Sequence, residues 1–112
     1  MDKMTVQQLI EAASLHPIAI PSPERDLGGA YVGDLLSWVM GRAREDDAWI
    51  TIMSNSNIIA VATLADVSCI ILAEGVEPDA GVVETAMARG VNLLSSSESA
   101  YEIAKKLSQL GL

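Results

Sequence analysis

Several residue types on which enzymes and nucleic-acid-binding proteins depend are scarce in this chain. Its 112 residues include no phenylalanine, one cysteine and one histidine, and only seven are lysine or arginine. A net charge of −8 leaves no basic face to displace the counterions of a nucleic-acid backbone. We therefore expect no nucleic-acid partner.

Long apolar runs are missing as well. The most apolar stretch, residues 57–73, is interrupted by Thr63, Asp66 and Ser68, whereas a membrane-spanning helix needs roughly 18 consecutive apolar residues. The single cysteine, Cys69, cannot form an internal disulfide, and it lies in an apolar segment as a small core residue would. These features predict a cytoplasmic protein that makes no contact with a membrane.

The sequence offers no template for catalysis or metal binding. His16 stands beside Pro17, and neither Gly-x-Ser-x-Gly nor Gly-Lys-Ser occurs, so a nucleophile elbow and a phosphate loop are both lacking. The carboxylates do not cluster with histidine or cysteine as metal ligands do. An enzyme with Asp34 or Glu74 as general base would lack a paired acid or nucleophile. We expect a non-enzyme without metal or cofactor.

What the chain has is a regular alternation of helical and extended patterns. Apolar spacing predicts helices over residues 5–14, 35–43, 57–66, 78–89 and 99–110, and strands over residues 30–32, 48–53, 68–73 and 91–94, with at most a short edge strand within residues 18–23. Continuous apolar strands that alternate with helices indicate a parallel sheet covered on both faces. The predicted fold class is α/β, a three-layer α/β/α domain with a mainly parallel sheet of four or five strands.

Individual residues refine this prediction. Thr5 with Gln8, and Ser99 with Glu102, have the spacing of a capping box. Asp34 is placed to cap the second helix, whose predicted inward residues are Leu35, Leu36, Val39, Met40 and Ala43.

Residues 57–66 fit two structures. Their β-branched side chains favour a strand, and their apolar spacing favours a helix. We interpret them as a buried helix, because a hairpin into the next strand would need a glycine or asparagine that residues 65–67 do not supply.

Small and polar residues follow the predicted strands at the points where ligands bind in open parallel sheets. Three of the four turns lead into helices whose first N–H groups are free. Two interpretations fit: a small polar or anionic ligand held by amides and side chains, or ordinary helix capping, which uses the same residue types. The candidate ligand-binding residues are Gly33, Asp34, Ser54, Asn55, Asn57, Glu74, Gly75, Ser95, Ser96 and Ser97.

One aromatic residue marks a candidate interface. Trp38 lies about a quarter-turn off the apolar stripe of its helix, near Tyr31 in the predicted fold. Two arrangements fit: Trp38 and Tyr31 form a dimer or partner surface, or the N-terminal helix covers Trp38.

Five segments between residues 28 and 104 resemble the DRTGG domain family, although the name-giving string itself is absent. The segments are Gly29-Ala30-Tyr31-Val32-Gly33-Asp34-Leu35-Leu36, Trp49-Ile50-Thr51-Ile52, Asn57-Ile58-Ile59-Ala60-Val61-Ala62, Ile70-Ile71-Leu72-Ala73-Glu74-Gly75-Val76-Glu77-Pro78-Asp79 and Gly90-Val91-Asn92-Leu93-Leu94-Ser95.

The resemblance implies a regulatory, often dimeric, non-catalytic domain that is similar in fold to the N-terminal domain of HPr kinase. Residues 1–112 are then a single DRTGG-like domain, with residues 1–27 as an N-terminal helix and loop extension. Our leading hypothesis is a stand-alone homodimeric module that senses a small metabolite or nucleotide. The alternative is a protein–protein interaction module without a small-molecule ligand.

Overall fold

The computed structural model describes residues 3–112. It consists of a single sheet with helices on both faces. The strands are β1 (His16–Ala19), β2 (Gly29–Val32), β3 (Asp47–Thr51), β4 (Cys69–Leu72) and β5 (Leu93–Ser95). The helices are α1 (Val6–Ala12), α2 (Leu36–Arg42), α3 (Asn57–Ala65), α4 (Val82–Arg89) and α5 (Ala100–Gln109). The predicted α/β class, its three layers and the helix at residues 57–66 are confirmed.

The strands lie in the order β1-β5-β4-β3-β2. Strands β2 to β5 are parallel, and β1 pairs antiparallel with β5, with an irregularity between Pro17 and Ala19. Helices α2, α3 and α4 connect successive parallel strands and pack on one face, while α1 and α5 cover the other face. A chain that steps across a parallel sheet in one direction places its crossover helices on one face in this way.

The core consists of two apolar clusters on either side of β3 and β4. Every residue of both strands is buried. Ala48 and Ile50 point toward α1 and α5, whereas Trp49 points toward the crossover helices. Two-sided burial is why these strands are apolar runs without polar alternation.

Helix α2 buries fewer apolar side chains than its sequence pattern predicted. Val39 is fully buried, but Leu35 and Met40 are 59% and 47% exposed. The helix has seven residues and follows the outermost strand β2, so little of the sheet is available to cover a broad stripe.

Several boundaries also differ from prediction, and β1 begins at His16, two residues before its predicted start. Helix α4 begins at Val82 and not at Pro78, because residues 74–81 form a loop in which Asp79 binds Ser54. Strand β5 covers Leu93–Ser95, later than the predicted residues 91–94. Asn92 precedes this strand, and its side chain binds the loop between β1 and β2.

Asn92 fixes the loop that joins β1 to β2. It is 1% exposed, and its side chain accepts from the Ser22 N–H at 2.9 Å and donates to the carbonyls of Ser22 and Ser68 at 2.8 and 2.9 Å. Arg25 anchors the same loop by pairing with Asp46 and Asp66. Burial would lower the pKa of Arg25, but hydrogen bonds to Asp66 and Asp46 outweigh this and raise it.

We predict that Asn92→Ala lowers the free energy of unfolding by about 2 kcal/mol, because it leaves one buried and two partly buried main-chain groups without their partner. Urea denaturation followed by circular dichroism measures the change. Asn57→Ala, at an exposed asparagine, is the control and is expected to cost about 0.5 kcal/mol or less. Equal effects of the two substitutions would contradict the role given to Asn92.

Cys69 is a buried core residue with a free thiol. Burial raises its pKa from the ordinary 9.0 to about 12, because the thiolate would lose its solvation. The neutral thiol is therefore the form that the fold stabilises. Its contribution to stability is complete below pH 9.0 and is lost as the pH rises toward 12.

We predict that Ellman's reagent at pH 8 leaves Cys69 unmodified in the folded protein and titrates one thiol per chain in urea, since the thiolate is the reactive form. Tyr101→Cys, at a residue that is 73% exposed, is the positive control, with one fast-reacting thiol. Rapid reaction of the native wild-type protein would refute the prediction.

Candidate functional site

The candidate ligand-binding residues lie along one side of the sheet. Because β2, β3, β4 and β5 are parallel neighbours, the turns after them stand side by side. We call this row of turns, at residues 33–35, 52–57, 73–79 and 95–99, the carboxyl edge. The structure thus brings the predicted residues into one row. Their hydrogen bonds within the chain decide which of them could still bind a ligand.

Asp34 joins β2 to β3 and does not cap α2. Its Oδ1 accepts from the Thr51 hydroxyl at 2.8 Å and from the Ile52 N–H at 2.9 Å. The chain stays extended through Leu35, which occupies the N-cap position without a side-chain cap. The capping prediction for Asp34 is therefore wrong, since its carboxylate lies beside the end of β3.

Ser54, Asn55 and Asn57 lie in the turn between β3 and α3. The Ser54 hydroxyl donates to Asp79 Oδ1 at 2.9 Å, and the Asp79 N–H donates to the Ser54 carbonyl at 2.9 Å. Asn55 Oδ1 accepts from the Asn57 N–H at 2.9 Å. Ser54 and Asn55 are thus engaged in holding the turns themselves, and the Asn57 side chain is exposed.

Successive connections on the carboxyl edge diverge after β4 and β5. The chain leaves β4 toward α4 on one face and leaves β5 toward α5 on the opposite face, and ligands of open α/β sheets bind where successive helices diverge in this way. Here two main-chain hydrogen bonds join the turns and form a floor between them, from the Glu74 N–H to the Glu98 carbonyl at 2.8 Å and from the Gly75 N–H to the Ser96 carbonyl at 2.9 Å.

This floor depends on an unusual backbone. Glu74 and Gly75 have φ angles of +62° and +70°, in the left-handed region that favours glycine. The two N–H groups consequently both turn toward the chain after β5. The turn is preorganised, and a ligand would meet it in a fixed shape.

Three side chains around this crevice make no hydrogen bond with another described residue, namely those of Glu74, Ser95 and Ser97. Ser96 is engaged, because its hydroxyl accepts from the Glu98 N–H at 3.0 Å. We call Glu74, Gly75, Ser95 and Ser97 the β4–β5 crevice. It is the part of the carboxyl edge whose polar groups remain available.

The charge of the carboxyl edge is negative. Asp34, Glu74 and Asp79 stand along it, and Glu98 is neutralised by Lys106. Phosphate groups would be repelled from such a row, whereas hydroxyls, amides and amines are suitable partners for carboxylate and serine oxygens.

Cationic groups meet at the opposite end of the strands. A cavity of about 300 Å³ beside the start of β2 has Arg42 and Arg44 in its wall, together with the buried Asp47. Arg42 also lies over the Trp38 ring, 3.9 Å from its centroid. No pattern in the sequence predicted this cavity, although Arg42 and Arg44 flank the end of a predicted helix, where the helix dipole favours cations.

The two candidate interface residues differ in exposure. Trp38 is 53% exposed, so α1 does not cover it. Tyr31 is partly buried, and its ring lies over Gly33, where an added Cβ would stand 2.8 Å from the ring. Gly33 is therefore needed for close approach, and its carbonyl accepts from the Trp49 ring N–H at 2.9 Å.

Two further properties concern residues 3–112. No helix in this range combines the length and apolar character that crossing a membrane requires. Within the same range, no three histidine, cysteine or acidic side chains are grouped as ligands for a metal ion.

Fold and edge together define an open α/β domain with a row of polar turns along one edge of its sheet. The chain belongs to the DRTGG domain family, whose model matches residues 27–110. DRTGG domains are a family of regulatory domains. No functionally curated protein matches the chain significantly.

One similar solved structure is the crystal structure of the CBS and DRTGG domains of the regulatory region of Clostridium perfringens pyrophosphatase, complexed with its activator, diadenosine tetraphosphate. The TM-score is 0.66 at 15% sequence identity, over 92% of this chain. The likeness is one of fold. This chain covers 47% of that one and so spans about half its length.

We predict that Asp34→Ala lowers the free energy of unfolding by about 1–2 kcal/mol, because two hydrogen-bond donors at the end of β3 lose their acceptor. Asp34→Asn keeps an acceptor oxygen and is expected to recover most of this loss. Thermal and urea unfolding of both variants measure the effect. Equal losses in both variants would show that the negative charge holds the turn.

Proposed function

We propose that this chain is a non-catalytic regulatory module that binds a small metabolite or nucleotide at its carboxyl edge and acts as a homodimer. The observation that carries the proposal is the β4–β5 crevice. Its position at the divergence of α4 and α5 is where α/β domains bind ligands. The DRTGG family and the activator-bound pyrophosphatase region support a regulatory role and a ligand of nucleotide type.

The contacts of the crevice narrow the kind of ligand. Ser95 and Ser97 can each donate and accept a hydrogen bond, and Glu74 can only accept. Ribose hydroxyls and an exocyclic base amine match these groups. The negative carboxyl edge disfavours phosphates, so a bound nucleotide would hold its base and sugar in the crevice and extend its phosphates into solvent.

The homodimer is proposed at the surface that includes Trp38 and Tyr31. Leu35 and Trp38 are both more than half exposed, and apolar groups clustered on a surface are typical of interaction sites. The same observation favours the second candidate function, an interaction module without a small-molecule ligand. The two candidates differ in whether the β4–β5 crevice binds anything.

A thermal-shift series with adenosine, ATP and diadenosine tetraphosphate at millimolar concentrations tests the ligand. A ligand at about 100 times its Kd stabilises the folded state by about 2.7 kcal/mol, which is a shift of several degrees. We expect adenosine to stabilise the protein at least as well as ATP at low salt. Added salt should increase the thermal shift with ATP relative to that with adenosine, because salt screens the repulsion of the phosphates.

The matched variants are Ser97→Trp, which places an indole over the crevice, and Ser108→Trp, which makes the same change at an exposed position near the end of α5. Binding should be lost in the first variant and unchanged in the second. No shift with any of the three compounds in the wild-type protein would overturn ligand sensing and leave the interaction module.

A further inference from the structure

The two edges of the sheet are unequally protected. The outer strand β1 contains Pro17 and is followed by Pro21 and Pro23, and proline blocks the addition of another strand because it has no N–H to donate. The other outer strand, β2, reads Gly29-Ala30-Tyr31-Val32. It has neither a proline nor a charged residue, which are the usual protections of an exposed edge.

The direction of the free hydrogen-bonding groups of β2 follows from its pairing with β3. The Gly33 N–H donates to the Ile50 carbonyl at 3.1 Å, and in a parallel ladder every second residue directs its N–H and C=O toward the same neighbour. Tyr31 therefore bonds to β3, while the main-chain groups of Ala30 and Val32 face outward. Both residues are exposed, Val32 by 50%.

We infer that β2 pairs antiparallel with β2 of a second copy of this chain, with Tyr31 at the two-fold axis, and forms one continuous ten-stranded sheet. This inference rests on the dimerisation named in the proposed function and specifies its geometry. Ala30 then faces Val32 of the partner in both directions, and these pairs exchange four hydrogen bonds. No other antiparallel register uses both outward-facing residues of each β2 strand in this way.

Side chains on both faces agree with this register. Ala30 and Val32 lie on the face of Ala48 and Ile50, with which they are paired in the sheet, and pairing with the second copy would cover their exposed sides. On the other face the two Tyr31 rings become neighbours. Aromatic and β-branched cross-strand pairs stabilise antiparallel sheets.

Charge complementarity points to a second copy as the occupant. In this register the start of β2, at Gly28, faces Asp34 of the second copy. Arg42 and Arg44 line the cavity beside Gly28, and neither forms an ion pair with a described residue. Asp34 uses Oδ1 for its internal bonds, and Oδ2 makes none with a described residue. Two-fold symmetry supplies each such contact twice.

Multi-angle light scattering over a concentration series tests the dimer. We expect a dimer for the wild-type chain and a monomer for Val32→Lys, which puts a charge on the edge while the fold is retained. Leu64→Lys makes the same substitution at an exposed position on α3 and should remain dimeric. Arg44→Glu should weaken the dimer at least tenfold more than Arg89→Glu, which changes the net charge equally at another exposed arginine.

Cross-linking tests the register. Antiparallel partners without hydrogen bonds stand about 4.5 Å apart at Cα, within the range of a disulfide. Mild oxidation should therefore link Tyr31→Cys into covalent dimers and leave Tyr101→Cys unlinked. Native Cys69 is buried in both variants.

A monomeric wild-type chain, a dimer that survives Val32→Lys, or a dimeric Tyr31→Cys that does not cross-link would each overturn the inference. Failure of the ligand proposal is separate, because the thermal shift with adenosine is measured on both wild type and Val32→Lys. A β2 dimer without any ligand shift would refute sensing and keep the interface. A ligand shift in a monomeric wild type would refute the interface and keep ligand sensing.

Discussion

Two-sided burial of β3 and β4 is the constraint from which the rest of this structure follows. Strands without a polar face need apolar cover above and below. The three crossover helices cover one face, so α1 and α5 must cover the other, where Val6 and Leu9 pack in the same cluster as Leu107. Helix α1 precedes the residues that match the DRTGG family, yet it completes the core that those residues begin.

The same constraint locates the candidate site. Because α5 must reach the face that the crossover helices leave open, the chain departs from β5 in the direction opposite to its departure from β4. The divergence is a product of covering the sheet, and it lies at the turns that contain Glu74 and Ser95.

Local patterns in the sequence were enough to predict the layers and most elements. The buried strands are continuous apolar runs, and the Thr5–Gln8 capping box is present as predicted. The exposure of Leu35 and Met40 was not predictable from α2 alone, because an apolar stripe does not reveal that its helix lies at the margin of the sheet. The prediction that Asp34 caps α2 was wrong for a related reason, because its partners Thr51 and Ile52 lie at the end of another strand.

Polar contacts between distant segments were the least predictable features. Asn92 binds Ser22 across 70 positions of sequence, and Arg25 binds Asp66 across 41, and no periodicity encodes either pair. At the candidate site, residue types indicated the row of turns correctly. They could not show that Ser54 is engaged by Asp79 of another loop and Asn55 by its own turn, while Ser95 and Ser97 are not engaged, because hydrogen-bond occupancy depends on the folded geometry.

The proposed ligand crevice and the proposed dimer edge lie on different strands, and regulation requires a physical link between them. A ligand shifts a dimer equilibrium only when it binds the two states with different affinity. Strand β3 separates the two sites, and the Asp34 carboxylate connects the end of β2 to the end of β3. In the proposed dimer its carboxylate would face Arg42 and Arg44 of the second copy while it still holds Thr51 and Ile52. In that dimer Asp34 thus contacts both the end of β3 and the second copy.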